Sequence, residues 1–86
     1  MLTTAQFKKD VRRTGRRGRD LDELWAVVEQ LSTGQPLDPR RRPHHLSGNW
    51  PDCWECHIRP DWLLIWRQER DALILVRTGT HADLFD

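Results

Sequence analysis

Four histidines and one acid at a turn are the residues of this 86-residue chain best suited to chemistry. The histidines are His44, His45, His57 and His81, and none lies inside an apolar periodic stretch. Imidazole is the side chain whose ordinary pKa permits proton transfer near neutral pH. His44 and His45 sit in a proline-containing segment, His57 on the polar phase of an alternating run, and His81 just after Thr78-Gly79-Thr80. Neighbouring strands bring residues distant in sequence within side-chain reach. His44, His57, Asp61 and His81 are therefore expected to collect at one edge of a sheet. Any one of these histidines alone reads equally well as a solvated surface residue. Together, with a carboxylate at a turn, they favour a functional cluster.

Other motifs point elsewhere. Cys53-Trp54-Glu55-Cys56-His57 has the C-x-x-C-H spacing of haem attachment. Haem attachment needs an exported chain, and the sequence carries no apolar export segment; its one methionine is Met1. A zinc site from the two cysteines and histidines is the stronger rival. Continuous strand geometry, however, puts residues three apart on opposite faces. The expected reading is two reduced thiols, Cys56 in the core, with no metal and no cofactor. Seven cations (Lys8, Lys9, Arg12, Arg13, Arg16, Arg17 and Arg19) fall between residues 8 and 19. They form either a solvated helix face or a set of phosphate contacts. Arg40–Arg42 adds to that charge. Trp50, beside Gly48 and Pro51, is a candidate for stacking on a base.

Short elements must position these groups. Thr3 and Gln6 read as a capping box for a helix carrying Phe7 and Val11, stopped by Gly15 and Gly18. Asp20 caps a second helix whose apolar stripe is Leu21, Leu24, Trp25, Val28 and Leu31; Gly34 and Pro36 end it. Residues 35–52 hold four of the five prolines and read as loop. Trp54, Cys56 and Ile58 alternate with Glu55, His57 and Arg59, the pattern of a half-buried strand with the first three inward. Residues 62–67 are apolar on both faces and read as a central strand; residues 72–77 read as a third. A tail, 81–86, remains. Most of the five tryptophans fall at core phase. Helices followed by strands predict an α+β domain, an αα-hairpin on a small antiparallel sheet.

Composition limits the function classes. The length allows one domain, residues 1–86, and excludes a nucleotide-binding domain joined to a substrate domain. With 37% hydrophobic and 31% charged residues, the chain can build a core. The net charge of +1 hides an asymmetry. Residues 1–42 carry ten Lys/Arg against six Asp/Glu, and residues 43–86 four against seven. The first half can face a polyanion. No run approaches the roughly 18 apolar residues of a membrane span, so a cytoplasmic location without membrane contact is expected.

The second half resembles a known family. His44-His45-Leu46-Ser47-Gly48-Asn49-Trp50, Glu55-Cys56-His57-Ile58-Arg59-Pro60-Asp61-Trp62-Leu63-Leu64-Ile65 and Arg77-Thr78-Gly79-Thr80-His81-Ala82-Asp83-Leu84-Phe85 are similar to segments of the YafQ-like toxins of the RelE/ParE superfamily. Phe7-Lys8-Lys9-Asp10-Val11 and Gly34-Gln35-Pro36-Leu37 agree with it. The resemblance implies a RelE-like fold with a strand before the helix pair; with only Met1-Leu2-Thr3 ahead of the first helix, that strand is expected to be short or missing. It implies a ribosome-dependent endoribonuclease acting on mRNA, and a cognate antitoxin that masks it in a hetero-oligomer. It carries functional roles onto His44, His57, Asp61, His81 and Phe85.

Metal-free RNA cleavage uses the substrate's own 2′-OH as nucleophile, so the protein supplies a base, an acid and charge stabilisation. His81 and His44 are the expected leading pair, with His57 and Asp61 completing the site; residue types alone do not decide which is acid and which base. Arg77 is the expected phosphate clamp, Phe85 and Trp50 the expected base contacts, and Lys8, Lys9, Arg12, Arg13, Arg16 and Arg17 the expected ribosome contacts. A ParE-like gyrase inhibitor, a non-catalytic nucleic-acid-binding module and a zinc protein are the competing readings.

Overall fold

The computed structural model describes residues 1–86. A short strand β1 (Leu2–Thr3) leads into helix α1 (Ala5–Arg16) and helix α2 (Leu21–Ser32). A 3-10 turn at Pro39–Arg41 and a two-residue strand β2 (His44–His45) follow. Strands β3 (Cys53–Arg59), β4 (Trp62–Gln68) and β5 (Leu73–Gly79) form a meander, and helix α3 (His81–Phe85) closes the chain. The sheet order is β1-β5-β4-β3-β2, so β4 is central, as its two-sided apolar sequence predicts.

The α+β architecture agrees with the sequence reading, with local corrections. The sheet is mixed: β1 pairs parallel to β5, and the other pairings are antiparallel. The first strand is present but short, as expected. Thr4, one residue beyond Thr3, caps α1, its hydroxyl accepting the Phe7 N–H at 2.9 Å. Gly15 lies inside α1 rather than ending it. A Cβ there would meet Leu21 Cδ1 at 3.3 Å, so the missing side chain lets the start of α2 approach. Asp20 caps α2 through the Asp22 N–H, as predicted. The tail is not loose: it is α3.

Two apolar clusters lie on the two faces of the sheet. The larger joins Phe7 of α1 and Leu24, Val27 and Val28 of α2 to Cys56, Ile58, Trp62, Leu64, Trp66, Leu73 and Leu75. The smaller contains Cys53, Leu63, Ile65 and Leu84, bordered by Leu46, Trp50 and Val76. Strand alternation assigns Cys53 and Cys56 to opposite faces, as expected, so they cannot share a metal ion. At the outer end of β3 the sequence phase is inverted: Trp54 is exposed and Glu55 buried. The helices do not extend over Trp54, whose ring instead lies edge-on to His45 at 5.2 Å. Of the five tryptophans only Trp62 and Trp66 are buried, so the expectation that most are core is corrected.

Burial pushes the Cys56 thiol up to about 12. Thiol reagents require the thiolate. Cys56 is therefore expected to resist iodoacetamide at pH 8 in the native protein and to react on unfolding. Mass spectrometry of the labelled peptide checks this; rapid native labelling would contradict the packing.

Candidate active site

The site is built where β3 turns into β4 and β5 turns into α3. Leu63 and Gly79 are paired in register, so the segments preceding β4 and following β5 emerge side by side. Thr80 caps α3 with a complete capping box: its hydroxyl accepts the Asp83 N–H at 3.1 Å, and Asp83 Oδ2 accepts the Thr80 N–H at 3.0 Å. His81 is the first residue of α3 and Phe85 lies four residues on, which puts both on one helix face.

Asp61 Oδ1 accepts two hydrogen bonds from His81: the backbone N–H at 2.9 Å and the ring Nδ1 at 2.6 Å. These bonds, the backbone one foremost, hold the Asp61 carboxyl below the usual carboxylate range. A carboxylate only accepts, so Nδ1 carries the proton and Nε2 points away, available to a substrate. The His57 ring lies 5.8 Å from that of His81. Its Nδ1 faces the Pro60 carbonyl at 3.3 Å, which likewise leaves Nε2 outward. Phe85 is 6.5 Å from His81 and 5.8 Å from Trp50, ring to ring.

His44 stands one strand further out. It pairs in register with Glu55, two residues before His57, so the diagonal separation of His44 and His57 is about 7–8 Å. Its Nδ1 donates to the Arg42 carbonyl at 2.8 Å, and Nε2 lies 3.4 Å from Glu55 Oε1. The structure thus brings together His57, Asp61, His81, Phe85 and Trp50, with His44 on their margin. The partner beside His81 is His57 rather than His44. Glu55 is a site residue the sequence reading missed, although its place two residues before His57 was the available signal.

Arg77 does not reach this cluster. Its Nε and Nη2 donate to the fully buried Asp10 at 2.7 and 3.2 Å, so the expected phosphate clamp is engaged by a carboxylate of α1. The basic stretch divides in two. Lys8, Lys9, Arg12 and Arg16 are exposed. Arg13 and Arg17 are ion-paired with Asp83, Arg17 remaining exposed, so these two are engaged by an acid of α3 while the other four carry no such pair. A groove of about 720 Å³ runs from His57 and Pro60 past Arg59 to Arg40, Arg41 and Arg42.

The description "bacterial toxin of type II toxin-antitoxin system, YafQ" fits residues 1–86, the whole chain. This chain belongs to the YafQ family of toxins. The mRNA interferase toxin YafQ of Escherichia coli strain K12 is 34% identical over 83 residues, covering 95% of this chain and 90% of its own length. A chain of the E. coli DinJ-YafQ complex superposes with a TM-score of 0.91 at 34% identity, covering 99% of this chain and 96% of that one. A metal-bound toxin from Helicobacter pylori superposes with a TM-score of 0.90 at 41% identity, covering 99% of this chain and all, 100%, of that one. In this YafQ-family toxin no three His, Cys, Asp or Glu side chains converge closely enough to hold a metal ion. No helix is long and apolar enough to cross a membrane.

Proposed function

We infer that this YafQ-family toxin is an mRNA interferase, an endoribonuclease, whose reacting centre is His81 and His57 with Asp61 behind His81. The observation that carries this reading is the 2.6 Å bond from His81 Nδ1 to Asp61, with the His57 ring 5.8 Å from that of His81. Two imidazoles so spaced, each with Nε2 outward, can stand on either side of one phosphodiester. His81 Nε2 takes the proton from the 2′-OH, and O2′ bonds to phosphorus. The bond from phosphorus to O5′ breaks, and O5′ takes the Nε2 proton of His57, which enters this step as the imidazolium with its Nδ1–H still on the Pro60 carbonyl. The products are a 2′,3′-cyclic phosphate and a 5′-hydroxyl. Asp61 keeps the His81 ring in the required tautomer and orientation, and each proton transfer contributes about 10²–10⁴ in rate.

Around this centre, His44 on the sheet edge, its ring between the Arg42 carbonyl and Glu55, borders the groove that the RNA backbone would follow. Phe85 and Trp50 form an edge-to-face aromatic pair beside His81, suited to packing against a base. The exposed Lys8, Lys9, Arg12 and Arg16, with the arginine-lined groove, supply the salt-dependent attraction needed for mRNA on the ribosome, in the cytoplasm. By analogy with the DinJ-YafQ complex, a cognate antitoxin is the expected partner, in a hetero-oligomer.

The test replaces the nucleotide 5′ to the cut with its 2′-deoxy analogue in a translated message. Cleavage at that position is expected to stop while neighbouring sites are still cut. End analysis of the unmodified product should find a 2′,3′-cyclic phosphate. Efficient cutting at the deoxy position would remove 2′-OH attack from the mechanism.

A further inference from the structure

We propose that Arg17 and Asp83 form a positioning clamp that sets the catalytic helix α3, so that Arg17 acts through His81 rather than on RNA. This rests on the reading that His81 is catalytic. Helix α3 has only five residues. A helix that short has no stability of its own in water, because nucleation is unfavourable and few bonds follow it. Something outside it must hold it. On its inner side Leu84 is buried in the smaller apolar cluster, and Asp83 turns towards α1. On the outer side are His81 and Phe85, both exposed.

Arg17 grips Asp83 at two points, Nη1 donating to Oδ2 at 2.6 Å and Nη2 to Oδ1 at 3.2 Å. A planar guanidinium bonded twice to a carboxylate fixes orientation as well as distance. Arg13 adds a third cationic contact at 3.6 Å from the same carboxylate. Arg13 is itself held at 2.9 Å by the buried Asp10, so the clamp is anchored in the core. The same Asp83 closes the capping box on Thr80, one residue before His81. Gly79 gives an independent sign that this packing is close. A Cβ at Gly79 would lie 2.9 Å from Asp83 Oδ2 and 3.1 Å from Arg13 Nη2, and the absence of a side chain leaves that room. The Arg17 hydrogen bonds foremost, then those of Thr80 and the charge of Arg13, hold the Asp83 carboxyl well below the usual carboxylate range.

The consequence is geometric. If Asp83 is released, the first turn of α3 frays and the His81 ring leaves Asp61. A displacement of about 1 Å in a catalytic group can cost on the order of 100-fold. The experiment compares Arg17→Gln, Asp83→Asn, the double variant and Arg17→Lys. Asn keeps an acceptor for the Thr80 N–H, and Arg17 is half exposed, so these chains should fold. Steady-state cleavage of translated mRNA should show kcat falling about 10–100-fold with KM unchanged. The double variant should be no worse than the worse single one, and Arg17→Lys should recover part of the loss. Imidazole NMR should show the hydrogen-bonded Nδ1–H of His81 in the wild type and its loss in Asp83→Asn. A rise in KM for Arg17→Gln that compounds with Asp83→Asn would make Arg17 an RNA contact and overturn the clamp. An unchanged His81 ring signal in both single variants would overturn it as well. A separate control, His81→Ala, distinguishes the two levels: full cleavage by that variant removes His81 from catalysis, whereas the ring signal tests the clamp regardless of activity.

Discussion

His81→Ala is expected to lower mRNA cleavage by about two to four orders of magnitude, the range a positioned proton-transfer group contributes. The same change should leave folding almost untouched. The His81 and Asp61 side chains are both more than half exposed, at 55% and 59%, so no core contact is lost. Surface substitutions of this kind usually stay within about 0.5 kcal/mol. The backbone N–H of residue 81 still donates to Asp61 Oδ1 in the alanine variant, so the bond that helps start α3 survives. Catalysis and stability are thereby separable at one position. Primer extension on translated mRNA measures the first, and thermal unfolding measures the second. Cleavage within a few-fold of wild type would leave the proposed centre without its principal imidazole. Lost cleavage accompanied by a large drop in melting temperature would mean that His81 acts through the fold.

Long periodic elements were legible in the sequence, and short ones were not. The second helix and the three meander strands follow from patterns of seven to twelve residues, long enough for periods of 3.6 or 2 to show. Strands β1 and β2 have two residues each, a single period, so no alternation repeats for a pattern to show. Helix α3 offers only a cap, Thr80 with Asp83, and that pair reads equally well as a turn. The convergence of His57, Asp61 and His81 was foreseeable from their places at strand ends. Which imidazole would face His81 was not, because it depends on the register of β3, β4 and β5 and on the bulge between His57 and Arg59. Burial at the outer end of β3 was misread for a related reason. Alternation says that two faces differ, but what covers each face is a tertiary fact. Leu46, Trp50 and Leu84 line the Glu55 side, and the helices stop short of Trp54. Charge was the least legible feature. Seven cations in one stretch look like a single surface, yet two of them are bound to acids that lie 66 to 70 residues away or inside the core.

Asp10→Ala is expected to be strongly destabilising, on the scale of truncating a buried aromatic side chain. Asp10 lies on the inward face of α1 with Phe7 and Thr14 and is fully buried. It accepts five hydrogen bonds: two from Arg77, one from Arg13, one from Gln6 and one from the Thr78 backbone N–H. Three of these donors sit on β5, so this carboxylate ties the first helix to the strand that leads into the site. Its removal strands Arg77 as a mostly buried cation and leaves the buried Thr78 N–H without an acceptor. Breaking a buried pair from one side costs about 3–5 kcal/mol. Domains of this kind have only about 5–15 kcal/mol in total, so the melting temperature should fall by on the order of 20 °C. Arg77→Met makes the informative comparison. It removes the cation and keeps an apolar stem, while Asp10 retains Arg13, Gln6 and the Thr78 N–H. It should therefore destabilise clearly less than Asp10→Ala, with cleavage falling only in proportion to the folded fraction. Were Arg77 a phosphate clamp, Arg77→Met would instead stay folded and lose cleavage. Thermal melts alongside cleavage rates normalised to folded protein decide between the two roles, and with them whether the α1–β5 tie is structural or catalytic.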